Sequence, residues 1–132
     1  MIDVTAAIIE KEGKYLIARR KGGNLNGKWE FPGGKLEDGE SHEKCLEREL
    51  DEEFGVKVEI GDYFLENVHK YKWGLEIRLV GYSAKHISGN FNLTVHDKIM
   101  WVYVNEMNCY DFAEADIPFI KKLRDLEIEK SN

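Results

Sequence analysis

The sequence predicts a mixed α/β domain, a β-sheet covered by helices on both faces. Three observations carry that prediction. Short apolar runs rich in β-branched residues precede a highly charged amphipathic helix at residues 41–54, alternating runs follow it, and a second amphipathic segment closes the chain. With 132 residues, 42% of them hydrophobic, and three tryptophans, the chain has the length and the material for one domain with a real core, and residues 1–132 are read as that domain.

Taken in order, Asp3 to Glu10 is short, apolar and β-branched and reads as a buried strand. Lys11 to Lys14 turns the chain, and Tyr15 to Arg20 returns as the second strand of a hairpin. Lys21 to Lys28 is a flexible polar loop by composition, suited to lie beside a site. Trp29 to Pro32 re-enters the core; Trp29 and Phe31 alternate, which leaves open which of them meets a ligand. Beyond the helix, Val56 to Ile60 and Tyr63 to Val68 read as strands interrupted at Gly61-Asp62. His69 to Gly74 is a turn with basic and aromatic side chains, either a hairpin tip or part of a ligand rim. Leu75 to Ala84 and Lys98 to Val104 are further strands, separated by a loop at Ser88-Gly89-Asn90, and Asn105 to Asn108 turns the chain. Asp116 to Leu126 forms the closing helix, with Ile117, Ile120 and Leu123 on one face and Pro118 tolerated in its first turn. Fraying is expected at Lys130, Ser131 and Asn132.

The central helix carries the chemistry. Ser41 supplies an N-cap oxygen, Gly55 a left-handed C-terminal cap, and Leu46, Leu50 and Phe54 a stripe for the core. Beside that stripe Glu49, Glu52 and Glu53 stand at i, i+3 and i+4. Like charges so spaced destabilise a bare helix by about 0.2–0.5 kcal/mol per pair, which a hard divalent cation with oxygen ligands would offset. An acidic run alone is more often a solvated face. Here, however, it follows Phe31-Pro32-Gly33-Gly34, a turn tight enough to face a carbonyl toward the carboxylates and to leave N–H groups for phosphate oxygens. Arg48 is placed to orient the glutamates, or merely to pair with Glu52 on the surface. Glu40 either adds an outer ligand or favours the helix dipole.

The net charge of −6 excludes an open nucleic-acid-binding surface but not a small polyanion bridged by metal. Cys45 and Cys109 have neither metal-ligand spacing nor a disulfide framework, and Cys45 reads as a buried small residue. Without a signal peptide or an apolar run of membrane length, the expected setting is cytoplasmic, with no membrane or nucleic-acid polymer as partner, and a monomer or homodimer.

Gly34, Glu40, Arg48-Glu49-Leu50, Glu52-Glu53 and Gly55-Val56 together resemble the Nudix box at every defined position. The resemblance extends over nearly the whole chain and is nearest the MutT-like branch, in Ala18-Arg19-Arg20, Trp29 to Lys35 and Phe112 to Pro118. It implies the α/β/α sandwich of Nudix hydrolases, magnesium or manganese as cofactor, and hydrolysis of nucleoside triphosphates to monophosphate and pyrophosphate. It also implies the Gly33 carbonyl, Glu49 and Glu53 as metal ligands, with Glu52 as a further ligand or an aid to water activation. Arg20 is placed near the phosphates, Phe31 against the base and Asp116 at the base edge, although Asp116 also suits a cap for the closing helix.

Two departures stand out. Aligned on Trp101, the acidic residue that relatives carry before this strand falls on Val95, so that either Asp97 takes over its metal or base role or the role is absent; His96 between them reads as structural. Oxidised-purine-specific relatives carry asparagine where this chain has Asp116, which accepts hydrogen bonds but donates none when ionised. Candidate substrates are therefore 8-oxo-dGTP, CTP or a modified dCTP. The alternatives are dinucleoside polyphosphates, for which Tyr71 is a weak signal, nucleotide sugars, or a non-catalytic nucleotide sensor.

Overall fold

The computed structural model describes residues 1–130. β1 (Ile2–Lys11) and β2 (Lys14–Arg20) form the expected hairpin, yet they pair only beside the turn, at Glu10–Tyr15 and Lys11–Lys14. Farther along they diverge. β2 pairs antiparallel with the short β3 (Trp29–Glu30). β4 (Lys57–Lys70) lies antiparallel to β5 (Glu76–Ser88), and β5 runs parallel to β1 from Ile2–Ile77 to Ile9–Ala84. β6 (His96–Val102) pairs with β2, so the sheet is mixed, as expected.

α1 (His42–Phe54) sits on one face of the sheet. Ser41 Oγ accepts the Lys44 N–H at 3.1 Å, and Gly55 closes the helix at φ 71°, donating to the Asp51 and Leu50 carbonyls. Its stripe, Leu46, Leu50 and Phe54, packs on Ala7, Ile9, Leu16 and Ala18. On the other face α2 (Ile117–Lys130) buries Phe119, Ile120 and Leu123 against Ile8, Ile17 and Leu79. Helices thus cover both faces. α2 extends to Lys130, and the fraying expected of Ser131 and Asn132 concerns residues outside the described range.

Besides β5 and α2, which run past their expected ends to Ser88 and Lys130, four elements differ from expectation. β4 is continuous, because the pairing with β5 shifts register between Ile60 and Leu65 and absorbs Gly61-Asp62 as a bulge. β6 starts at His96, two residues early, where a second irregularity pairs Arg20 with His96. Val104–Cys109 is a 3-10 helix rather than a strand end and turn. Asp116 ends a 3-10 turn (Glu114–Asp116) instead of capping α2; with Pro118 lacking an N–H, that helix start offers a capping carboxylate fewer donors.

The divergence of β1 and β2 makes room for the segment that builds the site. Residues 32–36 run alongside β1, with Ala7 N–H to Pro32 O at 2.7 Å, Thr5 N–H to Gly34 O at 2.8 Å and Leu36 N–H to Asp3 O at 3.0 Å. Thr5 Oγ1 adds a bond to the Gly34 carbonyl at 3.1 Å, and the buried Cys45 Sγ lies 3.3 Å from that hydroxyl. Burial pushes the Cys45 thiol up to about 11, so it is a packing group. Cys109 is exposed and both cysteines are free.

Candidate metal and nucleotide site

The glycine turn and α1 meet face to face. A Cβ on Gly34 would stand 2.3 Å from Glu49 Cδ, and one on Gly33 would stand 1.9 Å from the Thr5 carbonyl oxygen. Only glycine permits this double approach. Successive carbonyls alternate in an extended segment, so with Pro32 and Gly34 bonded to β1 the Gly33 carbonyl faces the other way. Gly33, Gly34, Glu49 and Glu53 line one cleft of about 420 Å³, within the usual range for a small-molecule site.

Of the two box glutamates on the cleft, Glu49 is paired with Arg48, and among the described residues Glu53 has no salt-bridge partner. Burial, and then the hydrogen bond and charge of Glu49, push the Glu53 carboxyl up to about 8, and Glu53 Oε2 is buried without a partner. An orphaned carboxylate oxygen beside a second carboxylate, an outward backbone carbonyl and a glycine cradle fit a hard divalent cation. Glu52 is not brought to this group. Its side chain is 60% exposed and bonds Arg48 at 3.2 Å, and among the described residues no three acidic, histidine or cysteine side chains gather as a metal site.

Arg48 holds the frame. Its guanidinium donates to both Glu40 oxygens at 2.7 and 2.9 Å, to Glu49 Oε1 at 2.8 Å and to the Lys35 carbonyl at 3.1 Å. It therefore ties the helix, the glycine segment and the loop between them, and fixes which Glu49 oxygen remains for a metal. Glu40 is used up in this fork, and the Arg48 guanidinium draws its carboxyl down to about 2. Replacing Arg48 by alanine is expected to weaken metal affinity roughly tenfold to a hundredfold, with lysine, which cannot fork, a partial replacement. Metal titrations of activity and of thermal stability check this; affinity unchanged in the alanine variant would refute the orienting role.

Arg20, Glu30, Phe31 and Asp116 line the same cleft. Phe31 is 2% exposed, its ring tilted onto Phe112 and Phe119, while its N–H donates to Asp116 Oδ2 at 2.9 Å. Asp116 is buried. Burial, then the charge of Glu30, holds its carboxyl well above the usual carboxylate range against the opposing Phe31 N–H and Arg20. Burial thus shifts Asp116 toward its acid form, and an acid donates as well as accepts, so the acceptor-only restriction expected from the sequence applies to the ionised group alone.

Asp97 lies elsewhere. It bonds Arg19 at 2.8 and 3.2 Å on the exposed surface, and it does not line the cleft. Neighbouring His96 is fully buried, stacked on Phe54 and 2.8 Å from Glu30 Oε2, which also lies 3.4 Å from Arg20 NH1. Glu30 was missed in the sequence, although a lone acid between Trp29 and Phe31 on a strand entering a glycine turn was a signal. Tyr71 and Trp73 reach the same cleft from the β4–β5 turn, where sequence reasoning left two roles open.

Known proteins resemble this chain in sequence and fold. The NUDIX domain family model matches residues 1–123. A CTP pyrophosphohydrolase of Escherichia coli is 37% identical over 122 residues, spanning 92% of this chain and 90% of its own length. A protein of Mycobacterium tuberculosis named putative 8-oxo-dGTP diphosphatase 2 is 32% identical over 130 residues, spanning 91% and 86%. The solution structure of the ORF135 protein of Escherichia coli matches with a TM-score of 0.85 at 36% identity, covering 96% of this chain and 91% of that one. A MutT protein from Methanosarcina mazei shares the fold, with a TM-score of 0.82 at 23% identity over 99% and 96% of the two chains. With the family model spanning most of its length, and Gly34, Glu49 and Glu53 of the box meeting in one cleft, this chain belongs to the Nudix family.

Proposed function

We propose that the protein is a metal-dependent pyrophosphohydrolase of nucleoside triphosphates, releasing the monophosphate and pyrophosphate, with magnesium as its metal and manganese as a substitute. The observation that carries this reading is the cleft itself. Its lining brings together Glu49, Glu53, the Gly33–Gly34 turn, Arg20 and a buried acid, Asp116. Bound there, the metal would neutralise phosphate charge and lower the pKa of an attacking water. Glu49 and Glu53 would hold it through their carboxylates together with the Gly33 carbonyl, with Glu49 oriented by Arg48. Arg20 adds a cation for the phosphate chain, steadied by Glu30. No side chain forms a covalent bond to substrate in this scheme.

Cytosine is the base this pocket favours. An un-ionised Asp116 offers one O–H donor and one carbonyl acceptor, which match the adjacent N3 acceptor and N4 donor of cytosine. The CTP pyrophosphohydrolase relative supports that choice, and the 8-oxo-dGTP diphosphatase names keep oxidised guanine as the second reading.

Pyrophosphate release from a panel of common and oxidised (d)NTPs, CTP, methylated dCTP, a dinucleoside polyphosphate and ADP-ribose, with magnesium and with chelator, tests both statements. Chelator-sensitive pyrophosphate from a cytidine triphosphate is the expected result. Turnover confined to the linked diphosphates would overturn it. Asp116→Asn, which keeps a donor and an acceptor, is expected to preserve the base preference that Asp116→Leu abolishes.

A further inference from the structure

We infer that the indole of Trp73 is the surface on which the nucleobase stacks, braced from behind by Tyr71. This inference rests on the pyrophosphohydrolase reading for the identity of the ligand. A base held at its edge by Asp116 needs a wall for its face, and few rings at the cleft are free to provide one. Phe31 is spent on the core, between Phe112 and Phe119. Tyr71 is 5% exposed, and its hydroxyl accepts the Ala115 N–H at 3.3 Å. Trp73 is the exception. It lines the cleft yet is 45% exposed, and its ring lies nearly parallel to that of Tyr71, with centroids 4.5 Å apart and planes 14° apart.

That exposed indole is held in place. Tyr71 N–H donates to the Leu75 carbonyl at 2.8 Å and Gly74 N–H to the Tyr71 carbonyl at 2.9 Å, closing the turn around Trp73, with Gly74 at φ 99° where other residues are strained. One face of the ring is covered by Tyr71 while the residue keeps 45% of its surface exposed, so a planar ligand finds a preformed platform with little ordering cost. Leu25 from the 21–28 loop and Leu75 add apolar surface beside it. Arg20, proposed for the phosphate chain, and Glu49 and Glu53, proposed for the metal, line the same cleft as Trp73, so one nucleotide can reach all of them.

Tyr71 also couples face to edge. Its hydroxyl and Asn67 Nδ2, which donates to the Ala115 carbonyl at 3.0 Å, clamp the 3-10 turn whose last residue is Asp116. The same residue that backs the stacking ring therefore positions the group that reads the base. Stacking is tolerant of base identity, which leaves discrimination to Asp116.

Two readouts test the platform. In steady-state kinetics on the best triphosphate of the panel, Trp73→Ala is expected to raise KM about tenfold or more with kcat within about threefold, and Trp73→Phe to stay near the parent. Inhibition by inorganic tripolyphosphate, which has no base, is expected to be unchanged in both. Independently of turnover, the matching nucleoside monophosphate should quench tryptophan emission in the parent, since Trp29 is buried and Trp101 half-buried, and Trp73→Phe should lose most of that quench. A KM within twofold of the parent in Trp73→Ala, or a quench that survives in Trp73→Phe, overturns the platform. Silence of the parent on every triphosphate, with quenching by a monophosphate intact, overturns the pyrophosphohydrolase reading and supports the platform as a binding surface.

Discussion

Replacing Glu53 by glutamine is expected to lower turnover by about two orders of magnitude or more while making the metal-free protein more stable at pH 8. The activity loss follows from removing an anionic metal ligand. The gain in stability follows from the pKa. Glu53 is pushed from about 4.5 to about 8 in the folded state, first by burial and then by Glu49. Between those values the folded protein keeps a proton that the unfolded chain releases, so stability falls as pH rises through this window. Each unit of displacement is worth about 1.4 kcal/mol, which puts the loss at a few kcal/mol for the parent at pH 8. Glutamine carries no such penalty.

Thermal melts with chelator from pH 4.5 to 8 should therefore decline steeply for the parent and more gently for Glu53→Gln. The residual slope belongs in part to Asp116, whose carboxyl is also raised. Magnesium should restore the parent at pH 8 by occupying the carboxylates, and should do much less for the variant. Near-parental turnover in Glu53→Gln would remove Glu53 from the metal site. Parallel melting curves would show that its carboxyl is not raised.

The second large effect separates the two glycines of the turn. A Cβ at Gly33 meets backbone alone: Thr5 O at 1.9 Å, Thr5 C at 2.6 Å and Ala6 Cα at 3.0 Å. None of these can rotate away, so Gly33→Ala must lift residues 32–36 off β1 and break the bonds to Thr5 and Ala7. A cost of about 3 kcal/mol or more follows, with a melting temperature lower by on the order of 10 °C. A Cβ at Gly34 meets the Glu49 side chain alone, with Cδ at 2.3 Å, Oε2 at 2.4 Å and Cγ at 2.8 Å. That side chain can swing aside. Gly34→Ala is expected to melt within a few degrees of the parent yet lose metal affinity and turnover by at least about tenfold, because the carboxylate has left its place. If instead Gly34→Ala unfolds the protein and Gly33→Ala spares it, the packing described for this turn is wrong.

The limits of the sequence are visible along α1. Ser41, the stripe of Leu46, Leu50 and Phe54, and Gly55 act within a turn of their own backbone, so the helix, its ends and its buried side are legible in the residues alone. The three glutamates are legible as a group but not as individuals. At 100° per residue Glu49 and Glu53 flank the stripe while Glu52 lies farther round, and Arg48 then takes Glu52 on the solvent side. Elsewhere, the breaker pair Gly61-Asp62 resembles the end of a strand because nothing local distinguishes an end from a bulge; only the pairing with β5 does.

By itself the sequence determined the mixed α/β class, the box helix with its caps and the glycine turn that faces it. Each of these is set by neighbours within a few residues: a capping oxygen, a periodic stripe, a missing Cβ. Tertiary structure alone decided which polar and aromatic groups share the cleft. It buried Phe31, bonded Asp97 to Arg19, brought Glu30 between Arg20 and His96, and shut Asp116 away so that its carboxyl is raised. It also stood Trp73 on Tyr71 beside the turn that carries Asp116. Those outcomes depend on burial and on charges far apart in the chain, and a carboxylate's proton or a ring's open face is defined only once those distant segments have packed together.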